Sequence, residues 1–142
     1  MLRNVSYKND NIKNEIDDLI GNSYSFFEKI KKGGVGSGKL LITKANKEIE
    51  NLLILDQNTN HCNIELRTKG IIIYFRSLLE TYGLAIPYYK LVVFKVTEKE
   101  YTFNIDSKFL KIKVKSENDH SFIRKIMEEK AKKILLNESG II

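Results

Sequence analysis

The 142-residue sequence holds one cysteine, one proline, two histidines and no tryptophan. A lone Cys62 excludes an intramolecular disulfide. With His61 and His120 as its only companions, it also falls short of the four ligands that a structural zinc site takes at recognisable spacing. No apolar run approaches the roughly 20 residues needed to span a bilayer. Met1-Leu2-Arg3-Asn4 does not lead into the apolar core of a secretion signal, so a cytoplasmic location is expected. The single Pro87 lacks a ladder donor and points to a strand edge, bulge or strand start.

What is present describes an ordinary soluble domain: 42% hydrophobic and 30% charged residues in a chain long enough to bury a core without cross-links. The bias toward Lys, Ile and Asn reads as AT-rich coding. The net charge of +6 is uneven, with 9 Lys+Arg against 8 Asp+Glu in residues 1–60 and 15 against 10 in residues 61–142. Such a balance permits acidic partners without requiring them. Nucleic acid is not the expected partner, because no basic face with interleaved stacking aromatics is legible.

In the N-terminal segment Ile12, Ile16, Leu19, Ile20, Phe27 and Ile30 recur at helical spacing, capped by Asp10 or Asn11 and broken at Gly21-Asn22. Such a stripe suits docking on its own domain, on another subunit or on a membrane surface, and a polar face that mixes Asp, Glu and Lys favours the first. Gly33-Gly34-Val35-Gly36-Ser37-Gly38-Lys39 satisfies G-x-x-x-x-G-K, yet Leu40 stands where a phosphate-binding loop needs Ser or Thr for magnesium. A strand-like stretch follows where a helix should, and the segment reads as a flexible loop.

From Leu40 onward short strands follow at regular spacing. They are Leu40–Lys44, Ile49–Leu55, Asn63–Thr68, Ile71–Arg76, Thr81–Ile86, Leu91–Thr97, and alternating runs through Tyr101–Ile105 and Leu110–Val114. Asp56 to Asn60 reads as a loop and Lys69-Gly70 as a turn. Ile71 to Arg76 is apolar on both faces, which predicts cover on both. Val92, Phe94 and Val96 share one face. Phe122, Ile123, Ile126, Met127, Ala131, Ile134 and Leu135 form the stripe of a closing helix, with Ser116 or Asp119 as its cap. The fold class is therefore mainly β with helices (α+β): seven or eight antiparallel strands in a barrel or sandwich, a C-terminal amphipathic helix and an N-terminal helical extension. The expected divisions are residues 1–38 (helical segment and Gly-rich loop), 39–137 (β-structure with its helix) and 138–142 (tail).

Strands followed by one amphipathic helix, with Ile64-Glu65-Leu66-Arg67-Thr68-Lys69-Gly70-Ile71 and Ile86-Pro87-Tyr88-Tyr89-Lys90-Leu91 within them, resemble a bacterial pleckstrin-homology-like (PH-like or GRAM-like) domain. The resemblance covers Leu40 to Leu136. It implies a non-enzymatic barrel, without cofactor, that binds phosphoinositide headgroups, peptides or partner proteins and is often oligomeric in bacterial relatives. Lipid-binding members carry Lys and Lys-x-Arg across the first two strands. Here those strands offer Lys39, Lys44 and Lys47 without an arginine, so specific headgroup recognition is not expected to carry over.

Lys111, Lys113 and Lys115 share a strand face. With Arg124, Lys125, Lys130, Lys132 and Lys133 they would form a surface for weak binding to anionic membranes if they converge. Lysines on an edge strand also serve simply to discourage aggregation. Phe75, Tyr82, Tyr88 and Tyr89 are candidates for an interface or a core rim. His61 and Cys62, as strand neighbours, face opposite sides and do not make a catalytic pair. No catalytic, cofactor or metal residue is assigned. The expected function is a non-enzymatic module docking a protein partner, itself or an anionic surface, and the alternative is a ligand-binding or enzymatic β-barrel with its site in the interior or mouth.

Overall fold

The computed structural model describes residues 1–55 and 60–138, with side chains described to residue 135. The expected loop at Asp56–Asn60, except Asn60, and most of the 138–142 tail lie outside the described residues. The elements are β1 (Leu2–Asn4), α1 (Asp10–Ile20), α2 (Phe26–Lys31), β2 (Leu40–Ala45), α3 (Lys47–Leu53), β3 (His61–Leu66), β4 (Gly70–Ser77), β5 (Glu80–Pro87), β6 (Val92–Thr97), β7 (Glu100–Ile105), β8 (Lys108–Lys113) and α4 (Glu117–Glu138).

Among the described residues the eight strands form one antiparallel sheet in the order β1-β5-β4-β3-β2-β8-β7-β6. Two meanders, β2 to β5 and β6 to β8, join where β2 pairs with β8. The alternating patterns fix the register. Ile64 lies opposite Ile73 and Leu66 opposite Ile71 between β3 and β4, while Ile73 faces Leu84 and Phe75 faces Tyr82 between β4 and β5. A one-residue slip would turn all of these outward. Inner faces of both meanders share one core with Ile49 and Leu53 of α3 and with Phe122, Ile123 and Ile126 of α4. The sheet therefore wraps around a common interior and α4 covers it.

The expected barrel does not form. The sheet is open, with β1 and β6 as its two edges. The physical reason lies in the N-terminal segment, where Leu2, Arg3 and Asn4 pair with Leu84, Gly83 and Tyr82 and occupy the edge of β5. A three-residue strand is too short for periodicity to reveal. The second difference is α3, where Ile49–Leu55 reads as a strand in the sequence but residues Lys47–Leu53 are helical. Here Ile49 and Leu53, one helical turn apart, both enter the core.

The apolar run of β4 is covered on both faces, as its pattern predicts. Ile71, Ile73 and Phe75 belong to the main core, whereas Ile72 packs with Ala85 beneath Ile16 and Ile20 of α1. The first half of the N-terminal stripe thus docks on its own sheet. Helix α1 starts at Asn9, whose side chain accepts from the Ile12 N–H at 3.1 Å, rather than at Asp10 or Asn11. It ends at Gly21, whose φ of 81° suits glycine and whose missing side chain leaves room for Thr68.

Candidate docking surfaces

Several of the eight sequence-selected cations are engaged by neighbouring carboxylates or backbone carbonyls. Strand β8 lies between β2 and β7, so its lysines are not edge guards. Lys111 Nζ is 3.8 Å from Glu100 Oε2, and Lys113 stands opposite Glu100 in the register. On α4, Arg124 pairs with Glu117 at 2.8 Å, which holds the Glu117 carboxyl below its usual range, by hydrogen bonding first and charge second. Lys125 donates to the carbonyls of Lys32 and Gly34, and Lys130 to that of Tyr88 at 2.9 Å. Desolvation lowers the Lys130 pKa. Lys132 lies 3.7 Å from Glu129, a buried carboxylate that also holds Lys32 at 3.2 Å. Lys125 and Lys130 thus tie α4 to the body, whereas Arg124 and Lys132 pair within the helix. Lys115 remains exposed beyond the end of β8.

The four candidate aromatics divide into two pairs. Phe75 is buried and stacks on Tyr82 with ring centroids 5.8 Å apart. Tyr88 is buried and its hydroxyl donates to the Arg67 carbonyl, while neighbouring Tyr89 is exposed. Tyr88 and Tyr89 line a cleft of about 470 Å³ with Asp18, Leu19, Lys133 and Ile134. Cys62 points into the core, and desolvation pushes its thiol up to about 12. His120 Nδ1 sits 2.8 Å from the Tyr101 hydroxyl and its ring packs edge-on against that phenol. Among the described residues no three His, Cys, Asp or Glu side chains converge as a metal site would require.

The glycine-rich segment is pinned beside β3. Ser37 Oγ accepts from the Ile64 N–H at 2.8 Å, the Ser37 N–H donates to the Ile64 carbonyl, and the Leu66 N–H donates to the Val35 carbonyl. Strand β2 follows, so Lys39 has no helix N-terminus beside it for a phosphate.

Two exposed apolar surfaces are not assigned by the sequence reading. Helix α2 has no buried residue: Phe26, Phe27 and Ile30 stand in water beside Lys29 and Lys31. Its Ser25/Glu28 capping box makes the turn, but the second half of the N-terminal stripe does not dock as expected. The other surface is β6. Val92 lies opposite Asn104 and Phe94 opposite Thr102, on the outer face, 45% and 58% exposed; Val96, 49% exposed, sits where the register with β7 breaks. Val93 takes the inner face and packs on the core. The alternation of β6 is legible in the sequence, but which of its faces is buried is decided by Phe103 and Leu110 on the neighbouring strands.

Comparison with protein-family models, curated proteins and solved structures finds no match to this chain. No helix among the described residues is long and apolar enough to cross a membrane.

Proposed function

We propose that the chain is a non-enzymatic, PH-like interaction module of the cytoplasm, which docks a protein strand on the free edge of β6. Two meanders joined at β2 and β8, followed by a helix seated in the common core, support the PH-like reading. Among the carboxylates and cations with shifted environments, Asp17, Lys32 and Lys130 tie elements together, and Glu28 and the Glu117–Arg124 pair serve their own helices, which supports a scaffold over a reaction centre. The observation that carries the docking site is β6 itself, a six-residue edge strand with three exposed apolar side chains. An edge of this kind offers unpaired main-chain groups to an incoming strand, and alternate side chains supply the specificity.

The test is proximity cross-linking in the source cell with wild-type protein and with Phe94→Asp, both shown to be folded by their melting curves. The reading predicts cross-linked chains, copies of the same protein included, that the variant loses. An identical set from both proteins contradicts it.

A second reading is favoured by α2. Phe26, Phe27 and Ile30 beside Lys29 and Lys31 match the chemistry of a shallow insertion into an anionic bilayer surface. Co-sedimentation with anionic but not neutral vesicles, weakened by salt and abolished by Phe26→Ser/Phe27→Ser, is the expected result. Equal sedimentation of the double variant contradicts it.

A further inference from the structure

We infer that the cleft beneath the second half of α4 binds a small amphipathic anion, a molecule with an apolar body and a single carboxylate. The site is separate from β6 and does not depend on docking there. The cleft, about 470 Å³, opens between Leu19 of α1, Lys69 of the β3–β4 turn, Tyr88 and Tyr89 after β5, and Lys133 and Ile134 of α4. That volume suits a small organic ligand. Its origin lies in the length of α4. The main core beneath the helix ends at Ile126, and Lys130 then donates to the Tyr88 carbonyl at 2.9 Å and holds the helix over the chain there. The apolar stripe nevertheless continues to Ile134, which walls a gap that no side chain among the described residues fills. An apolar body placed in that gap would remove its walls from water, which is favourable.

The floor is preformed. Tyr88 is buried with its hydroxyl bonded to the Arg67 carbonyl, and Leu19 packs with the small core beneath α1. Charge decides the other end of the ligand. Lys125, Lys130 and Lys132 of α4 are engaged by carbonyls or a carboxylate, whereas the ammonium groups of Lys69 and Lys133 have no ion pair or hydrogen bond among the described residues. Asp18 also lines the cleft, so two lysines and one aspartate leave a balance of one positive charge. A monoanion complements that balance, while a phosphate dianion exceeds it and meets the Asp18 carboxylate. Lysines are moreover point charges and lack the planar fork with which arginine grips a phosphate. A carboxylate on a lysine ammonium, with the apolar body against Leu19, Tyr88 and Ile134, satisfies both halves of the site.

The test titrates decanoate and naphthoate, a straight and a flat carboxylate, into the full chain, each beside the alcohol of the same carbon skeleton, and follows amide shifts residue by residue. Saturable shifts centred on Leu19, Lys69, Tyr89 and Ile134 are expected from at least one carboxylate, and the tighter of the two gives the shape of the body. Its alcohol should bind about tenfold more weakly, as the loss of one charge-assisted hydrogen bond implies. The double variant Lys69→Gln/Lys133→Gln should bring the acid down to the affinity of the alcohol, and Ile134→Asp should remove the binding of both. Ile134 and Lys69 are exposed and Lys133 half-buried, so these variants should keep the wild-type melting curve. Three results overturn the inference: no saturable shift from either carboxylate at millimolar concentration, an alcohol that binds as tightly as its acid, or shifts centred instead on Phe26 and Phe94, which would show a general affinity for exposed apolar surface.

Discussion

Arg67 is buried at the C-terminal end of β3, and its guanidinium ties α1 to that strand. Nη1 lies 3.2 Å from Asp17 Oδ1 and 3.2 Å from the Gly21 carbonyl, and Nε is 3.5 Å from Glu65 Oε1 without hydrogen-bond geometry. A buried cation that loses its partner costs more than a pair removed whole. Asp17→Ala is therefore expected to cost about 2 kcal/mol by denaturant unfolding, and Arg67→Met, which keeps the packing and removes the charge, less. The Asp17 carboxyl is held below its usual range, chiefly by the Lys13 hydrogen bond and then by Arg67. A depressed carboxylate gives stability that is present above the unfolded-state value and is lost as pH falls through the folded one. The melting temperature should accordingly fall below about pH 4, and Asp17→Asn should flatten part of that slope.

Leu78, in the β4–β5 turn, has a φ of 57° and is exposed. The left-handed region costs a branched residue about 1 kcal/mol, which asparagine largely avoids. Leu78→Asn should raise the melting temperature, and a lowered one would show that Leu78 packs in a way its exposure does not suggest.

At the scale of elements, the two faces of β4 separate global from local stability. Ile73 sits in the main core and Ile72 under α1, both essentially without solvent exposure. Ile73→Ala should destabilise the whole fold by about 3 kcal/mol. Ile72→Ala should raise amide exchange preferentially in α1, a difference that residue-resolved hydrogen exchange reads directly. The double cover of β4 was legible because an unbroken apolar run admits no solvent face. The first half of the α4 stripe was equally legible, with Phe122, Ile123 and Ile126 buried, but Met127, Ala131, Ile134 and Leu135 are exposed, because the core that α4 covers ends with its first turns. Asp119 Oδ2 accepts from the Lys115 and Ser116 N–H groups at the predicted cap. Helix α3 was not, because Ile49, Leu52 and Leu53 form a short apolar run that fits either period. Its preceding residue, Asn46, spends its side chain on the Phe109 N–H at 3.1 Å and gives no helix-cap bond.

At the scale of the whole molecule, the sequence showed the charge and the alternation but not their destinations. Lysines on alternate positions of β8 looked like a surface strip. In the fold, the register sets two of them beside Glu100, and α4 turns Lys125 and Lys130 toward backbone carbonyls. The candidate docking edge was hidden for the converse reason: Val92, Phe94 and Val96 look like core until the topology leaves β6 last in the sheet. One short strand, β1, covers the edge of β5 and leaves β6 as the longer of the two edges.

Proximity cross-linking in the source cell, run on wild type and on folded Phe94→Asp, tests the central claim most directly. Cross-linked chains that the wild type captures and the variant loses are the predicted result. An identical set from both proteins contradicts docking through β6.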